Sequence, residues 1–388
     1  MKTLFKNGKI ITKNTIYEGF LGIEDSKIIY IHKNEPSDKY DNIVDLDGKY
    51  ISPGFIDIHV HGAKGFDYMN ADKDSFIGIA DYHSSHGVTS IVATSLSASN
   101  EEILNFLDNF NIYTPEIKTI NYLGAHLEGP YFSMKYKGAQ DPKFIREPNP
   151  EEYKEWVKKG NLKRMSIAPE TKGAMELGDY LKENGVVAAV GHSSATFDVC
   201  KEAKDHGYNL MTHFYNALST IIKDKSYKTL GCIEAGYYFD EYTCEVISDD
   251  RHVPNDLFKI IYKFKTRENI ILISDALGAA GMAEGEHGII GSKENGMEIV
   301  IDDGVAKLAD KSAFAGSVAS GDRLVRNVYK NCNIELVDAV YMMTVTPAKM
   351  IGVSDRKGNI ETGKDADLIV FDDDINISDV YVMGEKVH

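Results

Sequence analysis

The stretch "PGFIDIHVHG", Pro53 to Gly62, ends in two histidines one residue apart, His59 and His61. Side chains alternate faces along a strand, so residues two apart point the same way. His59 and His61 therefore share one face, with Ile58 and Val60 on the other. Two imidazoles at the end of an apolar run serve either as a hydrogen-bonded pair or as ligands. Other apolar runs end in the same chemistry. "AHLEGP" supplies His126 and Glu128, "VGHS" His192, "MTHFYN" His213 and Asn216, "SDDRH" Asp249 and His252, and "ISDA" Asp275. Imidazole with carboxylate, and no cysteine among them, suits divalent Zn, Fe, Mn or Co. The pieces fit one or two such ions: His59 and His61 for one, His192 and His213 for another, Glu128 between, and Asp275 beside the attacking water. Two ions bridged by a carboxylate generate hydroxide and polarise a scissile carbonyl, which is the chemistry of a metallohydrolase. The remaining histidines read differently. His83 and His86 sit away from the strand ends as structural residues, His32, His206, His287 and His388 as solvated ones, and His126 as a neighbour that orients Glu128.

These residues are far apart in sequence, so the fold has to bring them together. From about Ile51 the pattern alternates between strand-like and helix-like runs. "FIDIHVHG", "VTSIVATSLS", "INYLGAHLEGP", "LKRMSIAPE", "VVAAVGHSS", "YNLMTHFYN", "YTCEVISDD" and "NIILISDAL" are the strands, with segments such as "DKDSFIGIADYHSSHG" and "NEEILNFLDNF" between them. Such alternation implies parallel pairing with right-handed crossovers. Eight units over about 300 residues fit a (β/α)8 TIM-like barrel, which carries its chemistry at the C-terminal ends of its strands. That is where the histidines and carboxylates fall. Both ends of the chain are β-rich instead, with Asn7-Gly8 reading as a hairpin turn. The expected architecture is therefore an α/β chain with the barrel over residues 52–353. A small β-sandwich domain is expected from residues 1–51 and 354–388 together. After the eighth strand, Asn295-Gly296 and Asp303-Gly304 mark a β-hairpin insertion.

Composition narrows the partners. The formal net charge of −16 over 388 residues argues against nucleic acid or an anionic membrane as a partner. No run approaches the roughly 18 apolar residues that a membrane span needs, and the N-terminus lacks the apolar core of a signal peptide. The four cysteines are scattered, which reads as reduced thiols in a cytoplasmic protein.

The motifs "SPGFIDIHVHG", "GAHLEGPYFS", "KGAQDP", "SIAPE", "VGHSSA", "THFYNAL", "ISDALGAAGM", "FAGSVASGDRLVRN", "TPAKMIG" and "GKDADLIVFD" cover nearly the whole chain. Together they resemble the amidohydrolase superfamily and, within it, the branch that deacetylates N-acetylglucosamine 6-phosphate. The resemblance implies that Glu128, His192 and His213 hold one ion and that His59 and His61 add a second site. It implies that Asp275, also beside the metal, takes a proton from water and hands it to the departing amine. Asn216 and the backbone of Ala217 would contact the sugar phosphate, His252 the substrate's hydroxyl or phosphate side, and the protein would be a homodimer. Three departures bear on substrate. Gln140 stands where the family usually has an imidazole. The segment after "NAL", "STIIKDKSYKTLG", lacks the usual phosphate-binding arginine, with Lys223, Lys225 or Lys228 as stand-ins. Asp250 replaces a common glycine, and Arg251 after it either reaches a phosphate or pairs with a neighbouring acid. The implied activity is hydrolysis of a linear amide: N-acetylglucosamine 6-phosphate to glucosamine 6-phosphate and acetate. The alternative is a deacylase of the same mechanism acting on an unphosphorylated or differently substituted N-acyl amino sugar or N-acyl amine.

Overall fold

The computed structural model describes residues 1–292, 296–311 and 314–388, with the Asp224 side chain left aside. Its centre is a ring of eight parallel strands: β1 Phe55–Val60, β2 Val88–Ser95, β3 Asn121–Glu128, β4 Leu162–Ile167, β5 Val187–Val190, β6 Tyr208–Met211, β7 Thr243–Val246 and β8 Ile270–Leu272. Each pairs with the next in chain order. A parallel bridge between Val60 and Ala276 brings β1 to the chain just beyond β8, with Asp275 N donating to His59 O and His61 N to Ala276 O, both at 2.9 Å. These strands read as near-continuous apolar runs because both faces are covered. Helices Lys73–Ser85, Asn100–Tyr113, Pro150–Lys158, Ala174–Glu183, Phe197–Asp205, Cys232–Tyr238 and Asn255–Lys265 follow β1 to β7 in turn. Their starts are written locally. Asp72 accepts from Ser75 N, Ser99 and Glu102 form a capping box, and Thr196 accepts from Val199 N. The architecture is the TIM-like barrel expected from the alternation.

Two apolar layers fix the strands. Outward residues such as Val60, Ile91, Leu127, Met165 and Val190 pack against helix residues including Phe76, Ile103 and Trp156. Toward the opposite end, Ile56, Ile58, Val92, Ala189, Leu210 and Ile271 pack on Ala348 and Ile351 at the helix Val345–Met350. β1 does not alternate as simply as its sequence implies. Its pairing with β2 runs Asp57↔Ile91 and then Val60↔Ala93, so one extra residue is accommodated in a bulge. Ile58 consequently joins the inner layer while Val60 joins the outer one, and the strand is re-aimed where its histidines begin.

The chain ends share one mixed sheet. Its order runs Glu385–Lys386, Ile377–Val382, Leu368–Phe371, Tyr50–Pro53, Lys2–Ile11, Ile16–Glu24 and Lys27–His32, with Asn42–Asp45 also pairing Lys2–Ile11. Leu368–Phe371 lies antiparallel to Tyr50–Pro53, which joins the C-terminal part to the N-terminal part. Asn7-Gly8 makes no hairpin: Lys2–Ile11 is one strand, and Asn7 at φ 56° forms a bulge between the pairs Phe5↔Leu21 and Gly8↔Gly19. The dipeptide's tolerance of positive φ is used, but for a kink; a Cβ on Gly8 would lie 2.4 Å from Leu46 Cδ1.

The insertion after β8 is larger than one hairpin. Strands His287–Ile290, Met297–Asp302, Val305–Leu308 and Phe314–Gly316 form a four-stranded antiparallel sheet. Asp303 and Gly304, at φ 58° and 71°, make the expected turn. Asn295, half of the other expected turn, lies outside the described residues.

Candidate metal centre and active site

Side chains from β1, β3 and the segments after β5, β6 and β8 meet above the strand ends. His192 Nε2 lies 3.2 Å and His213 Nε2 3.0 Å from Glu128 Oε1, and the two imidazole nitrogens are 3.1 Å apart. On the other side of Glu128, His61 Nε2 is 3.3 Å from Oε2, and His59 Nε2 is 3.5 Å from Oε1. Asp275 Oδ1 stands 3.3 Å from His59 Nε2 and 3.2 Å from His61 Nε2. Glu128 is thus common to two three-residue groups, one with His59 and His61 and one with His192 and His213.

The hydrogen positions decide what these groups can bind. His192 Nδ1 is 2.9 Å from the Tyr136 carbonyl and His213 Nδ1 is 3.0 Å from the Asn216 carbonyl. A carbonyl only accepts, so each Nδ1 carries the hydrogen and each Nε2 presents a lone pair. Two lone pairs and a carboxylate oxygen converging within 3.2 Å repel one another unless a cation lies between them. Ligand atoms about 2.0–2.1 Å from a tetrahedral ion lie about 3.3 Å from each other, close to the spacing found. His59 Nε2, which faces Glu128 and Asp275, is buried with no hydrogen-bond partner among the described residues. The donor set therefore fits one or two divalent ions.

The field of the site points the same way. Burial draws the His59 imidazole down, but Asp275 and Glu128 outweigh it and push it up to about 10; His61 is pushed up to about 9 against the same burial. Burial works to raise Glu128, and His59, His192 and His213 overcome it, holding the carboxyl well below its usual range. Asp275 is likewise held low by His59 and His61 despite its burial. The pocket stabilises positive charge at its centre and ionised carboxylates around it.

Beneath the ligands lies a buried polar layer that sequence reasoning missed. Arg164 on β4 and Glu245 on β7 are fully buried and ion-paired. Glu245 Oε2 also stands 3.3 Å from His59 Nδ1 and accepts from His213 N at 3.3 Å. Glu170, after β4, accepts from Ser193 Oγ, Ser194 N and Ser194 Oγ at 2.6–2.8 Å and so holds the loop that carries His192. Charged residues inside strand runs were the available signal, because an Arg or Glu on a buried strand needs a partner. His126 does not touch Glu128 as expected. It bonds Thr94 Oγ1 and Ser166 Oγ, packs edge-on against His59 at 4.6 Å between ring centroids, and is held neutral by burial and by Arg164. His83 bonds the Gly62 carbonyl, in keeping with its structural reading.

A cavity of about 220 Å³ opens over the cluster, lined by Glu128, His192, His213 and Asp275 together with Gln140, Asn216, Ala217 and His252. Leu277, Ile290 and Phe314 form its apolar wall, the last two contributed by the inserted sheet. His252 is fixed by Asp249, 2.8 Å from its Nδ1. Two residues proposed for substrate lie elsewhere. Arg251 donates from Nε to the Asp303 carbonyl and from Nη2 to Asp303 Oδ1, at 3.1 and 3.2 Å, outside the cavity lining. This is the second of the two outcomes weighed for it. Lys225 sits at the turn between Ile222–Asp224 and Tyr227–Thr229, an exposed two-stranded hairpin, at φ 52°. Among the described residues, no Lys or Arg lines the cavity.

The sequence and the fold can be set beside known proteins. A model of the amidohydrolase family matches residues 50–387. The chain is similar to the N-acetylglucosamine-6-phosphate deacetylase of Bacillus subtilis, 29% identical over 382 residues that cover 96% of this chain and 94% of that one. It is similar as well to the N-acetylgalactosamine-6-phosphate deacetylase of Escherichia coli O157:H7, 29% identical over 347 residues and 89% of each chain. Its fold is similar to that of N-acetyl-D-glucosamine-6-phosphate deacetylase from Mycobacterium smegmatis, solved in complex with N-acetyl-D-glucosamine 6-phosphate. The TM-score is 0.90 at 29% identity, over 100% of this chain and 99% of that one.

Proposed function

Because this chain belongs to the amidohydrolase family, we propose that it is a metal-dependent deacetylase of an N-acetylated amino-sugar phosphate, N-acetylglucosamine 6-phosphate first. The products are glucosamine 6-phosphate and acetate. One observation carries the reading: Glu128 joins two histidine groups directly under a cavity walled by Gln140, Asn216, Ala217 and His252. Relatives of similar length are named as deacetylases of N-acetylglucosamine 6-phosphate or of N-acetylgalactosamine 6-phosphate.

Glu128, His192 and His213 would hold one divalent ion and His59 and His61 a second, and ions bound there would lower the pKa of a water and polarise the acetamide carbonyl. The protein's residues do the rest. Asp275, ionised, accepts the proton that leaves the attacking water as the new carbon–oxygen bond forms. It then returns that proton to the sugar nitrogen as the carbon–nitrogen bond breaks, so the leaving group departs as an amine. Tyr136 and Asn216 hold the His192 and His213 rings by their Nδ1 hydrogens. Gln140 and His252 line the cavity where they can orient the sugar, with Asn216 and the Ala217 backbone toward its phosphate.

The phosphate needs positive charge that the described cavity wall lacks. We assign it to a second copy of the chain. The hairpin bearing Lys223, Lys225 and Lys228 also exposes Ile221, Ile222, Tyr227 and Leu230, an apolar surface that a homodimer would cover while bringing lysines to the partner's cavity. The four free, buried thiols suit a reducing cytoplasm.

The missing cation also favours a second reading, the same hydrolysis on an unphosphorylated amino sugar or another N-acyl amine. The experiment that separates the two measures acetate release by metal-reconstituted protein from four compounds side by side. These are N-acetylglucosamine 6-phosphate, its galacto epimer, N-acetylglucosamine and an N-acetylated aliphatic amine. A kcat/KM for either phosphate ester at least tenfold above the free sugar supports the leading reading. Equal rates with and without phosphate support the second, and no release from any of the four removes both.

A further inference from the structure

Gln140 is 5% exposed, and both ends of its amide are engaged. Its Oε1 accepts from the backbone N of Ser97 at 2.8 Å, and its Nε2 donates to Glu128 Oε2 at 2.8 Å. The orientation is not interchangeable. A backbone N–H can only donate, so the amide oxygen must face Ser97 and the NH2 must face the carboxylate. Among the described residues, every other polar contact to Glu128 comes from His59, His61, His192 or His213. Gln140 is the one neighbour outside the ligand set that touches this carboxylate. The terminal torsion of a glutamate is broad and roughly two-fold, so packing alone does not fix its plane. Here the fixed plane gives Oε1 to His192 and His213, with His59 Nε2 at 3.5 Å from it, and leaves Oε2 shared between Gln140 and His61.

We propose that Gln140 is a positioning residue for the metal centre. It locks the plane of Glu128, so that Oε1 serves the His192/His213 ion while Oε2 is held toward His61 and the second ion. The inference rests on the metal reading above but not on the identity of the substrate. A residue that only contacted sugar would leave ion affinity untouched. A residue that sets the carboxylate plane governs how tightly both ions are held, and the second ion depends on it most, because its carboxylate oxygen is the one that Gln140 shares. An amide suits this task because it accepts from Ser97 and donates to Glu128 without adding charge beside the ions.

The test compares wild type with Gln140→Leu and Gln140→Met. Both remove the donor at nearly constant volume, and Met, being unbranched, carries the test if the Leu variant does not fold. Protein stripped by chelation is dialysed against Zn2+ or Mn2+, bound metal is counted, and affinity is measured by competition with a chromogenic chelator. Loss of an outer partner of a metal ligand typically costs 10–100-fold in affinity. A loss of that size is expected in both variants, larger for the second ion. Wild-type affinities for both ions, with the defect confined to KM, would overturn the proposal and leave Gln140 as a substrate contact. If wild type releases no acetate from any amino sugar while the variants still lose metal, the proposed function fails and this inference stands.

Discussion

Replacing Glu245 with Ala tests whether the buried polar layer supports the site or only the fold. Glu245 and Arg164 are each fully buried and pair with one another. Removing the carboxylate strands a guanidinium whose remaining contacts are the Ile58 carbonyl at 3.2 Å and Ser166 Oγ at 3.5 Å. Breaking a buried pair on one side costs about 3–5 kcal/mol. With an unfolding entropy near 2.1 cal/mol/K per residue, a 388-residue chain loses about 4–6 °C of Tm for that energy. The same change frees His59 Nδ1, which Glu245 holds at 3.3 Å, so second-ion affinity falls about 10–100-fold. The double variant Glu245→Leu with Arg164→Met separates the two effects. Replacing both partners of a buried pair with apolar residues is often neutral or stabilising, so Tm recovers, while the His59 anchor stays absent and ion affinity stays low. Scanning calorimetry of the metal-free proteins and metal titration of the same samples read the two quantities independently. A single variant as stable as wild type, or a double variant that regains both Tm and second-ion affinity, refutes the division of labour argued here.

Three further perturbations follow from the geometry. Asp275→Asn keeps the size of the side chain but removes the proton acceptor, so kcat falls about 10²–10⁴-fold while metal analysis still finds ion at the His192/His213 group; near-normal turnover would exclude Asp275 from proton transfer. Asp322 is held at about 2 against its burial by His86, Ser320 and Arg326. Its folded pKa is depressed, so its roughly 2 kcal/mol of stability is present above about pH 4 and lost as pH falls toward 2; Asp322→Asn should be less stable at pH 7 by about that amount and show a flatter acid limb in chemical denaturation, and parallel limbs would contradict the assignment. Tyr227→Glu places a charge on the exposed hairpin, where Tyr227 is 81% accessible; light scattering should find the proposed homodimer for wild type and half that mass for the variant, and equal masses for the two would remove the hairpin as the interface.

The barrel was legible because its strands are buried on both faces and so read as apolar runs, alternating with helix-like segments. The site was legible for a related reason: an imidazole or carboxylate at the end of an apolar run has no packing explanation, and five such ends converge in a barrel. What escaped was set by register and long-range pairing. The Asn7-Gly8 dipeptide encodes positive φ, which a bulge uses as readily as a turn, and only the pairing of Phe5 with Leu21 and of Gly8 with Gly19 distinguishes them. The β1 bulge is invisible for the same reason. Arg164 and Glu245 are 81 residues apart, and neither is informative until β4 and β7 face each other across the barrel. Arg251 could be read toward a phosphate or toward an acid; the choice depended on Asp303, which the inserted sheet brings back from 52 residues further on.

Four residues at the site carry backbone strain. His192, His213, Ala217 and Asp275 all have positive φ, at 45°, 29°, 49° and 48°, a conformation that costs a non-glycine residue of order 1–3 kcal/mol. None of them could be exchanged for glycine without losing a ligand, a proton acceptor or a wall of the cavity. The strain persists because each turn is over-determined by bonds that do not involve the reacting groups. Asp275 N donates to His59 O at 2.9 Å, Ser193 N to Ala217 O at 3.1 Å, and Asn216 N to His213 O at 2.8 Å. The His59 bond ties the eighth strand's carboxylate to the first strand's imidazole through main chain alone. A parallel strand that ended in ordinary extended geometry would carry its last side chain along the barrel wall. Turning the backbone immediately at the strand end instead aims the imidazoles and the carboxylate inward at Glu128. The cost of those turns is borne by the folded protein before any ion or substrate arrives, so the ligand atoms need little further reorganisation on binding.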